Sequence, residues 1–124
     1  MKQKVHSVSY LAKAEFEFKN GFYELMALPA GAEVVKVSLE IVGSTNKNSL
    51  IRVLFENENT KNSFPVLRVV ASDEQTVQTA TSTKDYTVTS NRVVLAEVGD
   101  ANNGDAKCVL RVLYFLPSVI EVEY

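Results

Sequence analysis

His6 and Cys108 are the only histidine and the only cysteine in the 124-residue chain. Any Ser-His-Asp or Cys-His arrangement must therefore run through His6, which stands near a terminus with no local motif around it. A zinc site needs three or four Cys, His or carboxylate ligands, so a single histidine and a single thiol supply it poorly. Carboxylates are more plentiful: Glu56 and Glu58, Asp73 and Glu74, Asp100 and Asp105, Glu121 and Glu123. The two glutamate pairs share a strand face if extended, whereas acids in turns mostly serve solubility and turn chemistry. Asp100-Ala-Asn-Asn-Gly-Asp105 is the best calcium candidate, because a hard cation wants several oxygens from a tight turn. It lacks the dense carboxylates and the terminal glutamate of an EF-hand, and an ordinary Asx-rich turn accounts for it. No glycine-rich phosphate loop is present. With no tryptophan and five scattered tyrosines, no aromatic platform for a sugar stands out. These residues give no catalytic, cofactor or metal site, and the chain reads as a non-enzyme.

The elements that would position such residues read as strands. Valine is in excess, 19 residues, and a β-branched side chain is stiff at χ1 and packs well on a pleated surface. Alternation of apolar and polar residues is clearest at 33–42, with Val35, Val37, Leu39 and Ile41 on one face and Lys36, Ser38 and Glu40 on the other. Residues 14–18 repeat it, and Asp85–Thr89 and Arg92–Val98 read as two more strands about Ser90-Asn91. Asn20-Gly21, between two apolar runs, is the strongest short hairpin signal. Residues 22–28 are too few for a stable helix and read as a strand. Thr76–Thr83 is polar enough for a loop or an exposed edge strand. The fold class is all-β: an antiparallel β-sandwich or barrel-like jelly roll of short strands. No linker or repeat divides it, so residues 1–124 form a single domain, with 1–13 an extended N-terminal arm and 117–124 a docked C-terminal strand.

A net charge of −2 does not fit a general nucleic-acid binder, which needs a basic stripe to displace counterions from phosphates. Lys2, Lys4 and Lys13 precede any acid; they suit a solvated arm or, alternatively, an arm docking on an acidic partner. Cys108 lies among apolar residues and reads as a buried, inert thiol. No signal-peptide core is visible, and no run approaches the roughly 18 apolar residues that span a bilayer. Synthesis in a cytoplasm, without a membrane partner, is the expectation.

Three segments depart from simple alternation by being apolar on both faces. Opposite Cys108, Leu110, Val112 and Tyr114 stand Val109, Arg111, Leu113 and Phe115. Leu50, Arg52 and Leu54 oppose Ile51, Val53 and Phe55; Val66, Arg68 and Val70 oppose Leu67, Val69 and Ala71. A two-sheet sandwich buries one face of each sheet, so the second faces need other cover: loops or an arm of the same chain, or another chain. Arginine favours the second reading, because its stem lies on apolar surface while its fork finds a carboxylate, and it is enriched in interface cores. Ile120, Val122 and Tyr124 carry apolar character to the last residue, as a docked ending would. The interface set is therefore Leu50, Arg52, Leu54, Val66, Arg68, Val70, Val109, Arg111, Leu113, Phe115, Ile120, Val122 and Tyr124.

At Leu28-Pro29-Ala30-Gly31-Ala32-Glu33-Val34-Val35 the chain resembles small virion structural proteins of tailed bacteriophages, where such a turn leads into a valine-rich strand. The later layout is similar as well: Tyr86, the strand Arg92–Val98, the turn Gly99–Asp105, and a closing strand ending in Tyr114-Phe115. The resemblance is closest to capsid decoration, or cement, proteins. It implies a structural protein bound to the major capsid protein on the outer capsid surface of the virion; with the uncovered apolar faces, the expectation is a homo-oligomer, a trimer before a dimer. A head-fibre, tail or baseplate component, or a sandwich binding sugar or calcium, is the alternative. No catalytic residue is carried over.

Overall fold

The computed structural model describes residues 2–6, 9–45, 49–70, 77–82, 86–101, 105–116 and 119–123, with side chains in all but 2–6, 77–80 and 119–123. Eleven strands are assigned among them, and every strand pairing is antiparallel. In chain order they are β1 (Lys2–His6), β2 (Ser9–Glu17), β3 (Gly21–Leu28), β4 (Glu33–Val42), β5 (Leu50–Asn57), β6 (Ser63–Val70), β7 (Val77–Thr81), β8 (Tyr86–Thr87), β9 (Arg92–Gly99), β10 (Lys107–Phe115) and β11 (Val119–Glu123).

One sheet runs β2-β10-β4-β7, with β8 also on β4; the other runs β3-β9-β5-β6. The chain crosses between them repeatedly, so that sequence neighbours such as β2 and β3 lie in opposite sheets. That order is the jelly roll, the all-β class read from the alternation. Residues 2–6 and 119–123 pair as a separate two-stranded ribbon, from Lys2 opposite Glu123 to His6 opposite Val119. Of the expected N-terminal arm, Ser9–Lys13 belong to β2 of the sandwich, while the C-terminal strand pairs with β1. Asp85, at the start of one expected strand, lies outside the described residues, as do Ala71 and most of Thr76–Thr83 by its side chains; β7 is the edge strand that this segment supplies.

Valine and isoleucine at alternate positions make the core, because the pleat turns every second side chain inward. Val37, Leu39 and Ile41 from β4 and Cys108, Leu110 and Val112 from β10 face Ile51, Val53 and Phe55 from β5 and Val94, Ala96 and Val98 from β9, all nearly inaccessible. Aromatic pairs join the two sheets. Phe55 meets Tyr86 edge-on at 5.8 Å, and Phe16 of β2 meets Tyr23 of β3 at 5.4 Å between ring centres.

Asn20-Gly21 is a turn, as its residue types require, with Gly21 at φ 146°. It is not a hairpin: β2 pairs with β10 and β3 with β9, so the turn carries the chain from one sheet to the other. Local sequence cannot distinguish these, since the same φ > 0 residue serves both. The Pro29-Ala30-Gly31 segment closes a type II turn, with Ala32 N donating to Pro29 O at 3.2 Å and Gly31 at φ 87°. Asn91 Oδ1 accepts from Ala30 N at 2.9 Å, which ties this turn to the loop before β9.

Gly43 ends β4 at φ 117°, where an added Cβ would lie 2.8 Å from Ala106 Cα. Gly43→Ala therefore meets both backbone strain and a backbone clash. It is expected to lower unfolding stability by about 1–3 kcal/mol in urea melts, whereas Gly21→Ala, with open space at its Cβ, costs less.

Candidate functional site

The residues set aside as an interface fall on two faces, back to back. Leu50, Arg52, Leu54, Arg68 and Val70 lie on the outer face of the β3-β9-β5-β6 sheet; Val109, Arg111, Leu113 and Phe115 lie on the outer face of the β2-β10-β4 sheet. The pleat requires this: β5 and β10 are inner strands of opposite sheets, and each turns its second face away from the common core. Val66 belongs to neither face. β6 bulges between its pairings with Val53 and Leu54, and this extra residue turns into the core, where Val66 is 7% exposed. The side chains of Ile120 and Val122, and all of Tyr124, lie outside the described residues.

On the first face Leu54 stands directly opposite Leu95 of β9, and both are buried although neither belongs to the core cluster. The next row across the sheet is Phe22, Glu97, Arg52 and Arg68. Arg52 Nε donates to Glu97 Oε1 at 2.7 Å, and a second guanidinium nitrogen reaches the same oxygen. Phe22 is 68% exposed at the open side of this row, and Val70 is also exposed. Leu95, Glu97 and Phe22 were not among the residues expected at an interface. The first two had a signal, because Arg92–Val98 alternates apolar residues on both faces, as 50–56 does.

The second face has rows of Leu11, Leu113 and Lys36, then Lys13, Arg111 and Ser38, then Glu15, Val109 and Glu40. Arg111 Nη1 lies 3.3 Å from Glu40 Oε1. Leu11, Lys36, Ser38, Arg111 and Leu113 line an open depression of about 240 Å³. Leu11 is well exposed, and a bulge on β4, two strands away, leaves Val35 exposed as well. Both arginines thus find their carboxylate on the adjacent strand of their own chain. The sequence alone leaves those carboxylates open to a partner chain, since register decides which acid stands beside each arginine. Such half-exposed pairs contribute about 0–1 kcal/mol each, so they neutralise the two faces more than they hold the fold.

Elsewhere the candidate chemistry resolves into structure. Asp105 Oδ1 accepts from Ser44 N at 3.0 Å, while Asp105 N and Ala106 N donate to Ser44 O. Asp100 takes a left-handed φ of 59°, and residues 102–104 of the proposed calcium turn lie outside the described residues. Among the described residues no three metal-ligating side chains converge. Glu17 and Lys19 form an exposed pair at 3.0 Å; the hydrogen bond and charge of Lys19 draw the Glu17 carboxyl below its usual range. His6 pairs with Val119 in the terminal ribbon, and its side chain is not described.

Over all of both chains, this sequence is 62% identical to a chain in the acidic stable capsid structure of Helicobacter pylori bacteriophage KHP30, with a TM-score of 0.84. The chain belongs to that phage capsid protein family. A chain of the cyanophage Pam1 capsid asymmetric unit shares the fold alone, at 22% identity and a TM-score of 0.63, with 88% of this chain and 85% of that one covered. No protein-family model and no curated protein matches. The protein is thus a capsid-associated structural protein of phage type, and the resemblance first carried by the Leu28–Val35 turn holds across the whole chain.

In this capsid protein Cys108 is fully buried, and desolvation pushes its thiol up to about 12 from an ordinary 9.0. Only a thiolate is a nucleophile, so the native thiol is inert near neutrality. Because the folded value is the higher one, the native state is favoured below pH 9, and that advantage disappears as pH rises from 9 towards 12. Alkylation of Cys108 at pH 8 is expected to proceed only as fast as the protein opens. The stability difference between wild type and Cys108→Ala, measured by denaturant melts, should shrink between pH 9 and 12.

Proposed function

We propose that this chain is a capsid decoration, or cement, protein: a non-enzymatic homo-oligomer that binds the outer surface of a phage shell and stabilises it. Its partner in this reading is the major capsid protein, and its place is the surface of the virion, after synthesis in the host cytoplasm. The observation that carries the reading is the full-length match to a chain of a phage capsid structure. The two outer faces support it. Each presents leucine and valine around an arginine paired within the chain, Arg52 with Glu97 and Arg111 with Glu40, so covering either pair costs less charge solvation than covering a lone arginine; Arg68, opposite Arg52, is left for a partner's acid. Neither the net charge of −2 nor the described surface suggests nucleic acid, and no described helix is long and apolar enough to cross a membrane.

The test is binding to shells assembled without the protein, followed by heating of decorated and bare shells. Wild type should cosediment with shells and raise their disruption temperature. A charge placed in a desolvated contact with no partner costs several kcal/mol, about 2–5. Val70→Asp or Leu113→Asp, whichever lies under the shell contact, should therefore weaken binding by roughly thirtyfold or more. Glu58→Gln, at an exposed loop position, should stay within about 0.5 kcal/mol of wild type. A protein that neither binds shells nor changes their stability has another role.

A further inference from the structure

The two sheets have four edges, and three of them are defended against pairing with another chain. β3 carries a bulge between Glu24 and Met26, and β6 carries both a bulge and Pro65. The β7/β8 edge is broken into strands of five and two residues. Bulges, proline and short length are the usual means of blunting an edge. β2 has none of them: nine residues, Ser9–Glu17, without proline or glycine, paired to β10 with no break in register. The same strand exposes Tyr10 and Leu11.

Its charges are also placed for a partner. Across the sheet, Lys13 stands opposite Arg111, followed by Ser38 and Thr81, so no acid shares its row. Like charges directly opposite are unfavourable, and Arg111 turns to Glu40 in the next row. A lysine alone on an edge is a defence, but Glu15 stands two residues along the same face.

We propose that the β2 edges of two copies pair antiparallel about a two-fold axis through Ala14, joining two sheets of this jelly roll into one. An axis perpendicular to the sheet keeps outer face beside outer face, so it must pass through a residue. Through Lys13 or Glu15 it sets identical charges opposite each other; through Ala12 it sets Leu11 opposite Lys13 and Ser9 opposite Glu15. Through Ala14 it sets Lys13 opposite Glu15 of the second copy, twice by symmetry, and although Leu11 then stands opposite Glu17, this is the one of the four registers that pairs opposite charges and sets no like charges against each other. Each Lys13 then gains the acid that its own row lacks. This contact rests on the oligomerising part of the proposed function, and it makes the unit a dimer rather than the trimer put first from the sequence.

The test is the dissociation constant of the full chain by sedimentation velocity, for wild type, Lys13→Glu, Glu15→Lys and the double exchange. Because each substitution turns two attractive cross-strand pairs into two repulsive ones, either single variant should weaken the dimer about tenfold or more. The double exchange should restore it, and circular dichroism should show every variant folded. A wild type that stays monomeric at about 100 μM, or a dimer indifferent to these charges, overturns the proposal. So does a monomer whose shell binding alone responds to Lys13→Glu, since the edge would then belong to a capsid partner. Shell binding by a monomer would leave the decoration role standing; dimers with no affinity for shells would remove that role and leave this contact.

Discussion

The closely packed layer between the two sheets is what everything else in the molecule depends on. β10 and β4 on one side and β9 and β5 on the other present stiff, β-branched or aromatic residues at alternate positions, and these interdigitate with almost no exposure. Each of these strands is flanked on both sides, so its backbone donors and acceptors are satisfied by neighbours while its inner side chains leave water. Phe55 with Tyr86, and Phe16 with Tyr23, lock the sheets together through rings contributed from opposite sides. The loops then have fixed anchor points, as in the type II turn held by Asn91 and the close approach of Gly43 to Ala106.

With the core decided, the outer faces follow from the same strands. An inner strand that is apolar at every position must show half of those residues to the outside. Here the outside is softened by neighbours: Leu54 lies against Leu95, and Arg52 and Arg111 lie beside Glu97 and Glu40. The result is two surfaces of low net charge, opposed across the sandwich, and an undefended edge between them. That geometry suits a component with neighbours on more than one side, as a place within a capsid demands. The one thiol is sealed in the core, Asp105 accepts from the Ser44 amide, and Glu97 and Glu40 are paired with arginines.

Much of this was legible in the residues themselves. The pleat has a period of two, so alternation at 33–42 and apolar runs at 50–56 and 106–116 specify strands and their two faces without further information. Turn chemistry is equally local, which is why Asn20-Gly21 and Pro29-Ala30-Gly31 turn where expected. Local signals end there. Whether Asn20-Gly21 makes a hairpin or a crossing between sheets depends on which strand lies beside β2, and that strand, β10, pairs with it across 90 (Glu17 to Lys107) to 106 (Ser9 to Phe115) positions of the chain. Register is also tertiary: a bulge in β6 sends Val66 into the core although strict alternation puts it outside. The partners of Arg52 and Arg111 are acids 45 and 71 positions away, brought alongside by strand order alone. The sequence by itself determined strands, faces and turns, because these are set by neighbours one to three residues apart. Only the tertiary structure decided which faces share a sheet, which charges meet and which edge stays open, because these depend on pairings between distant segments.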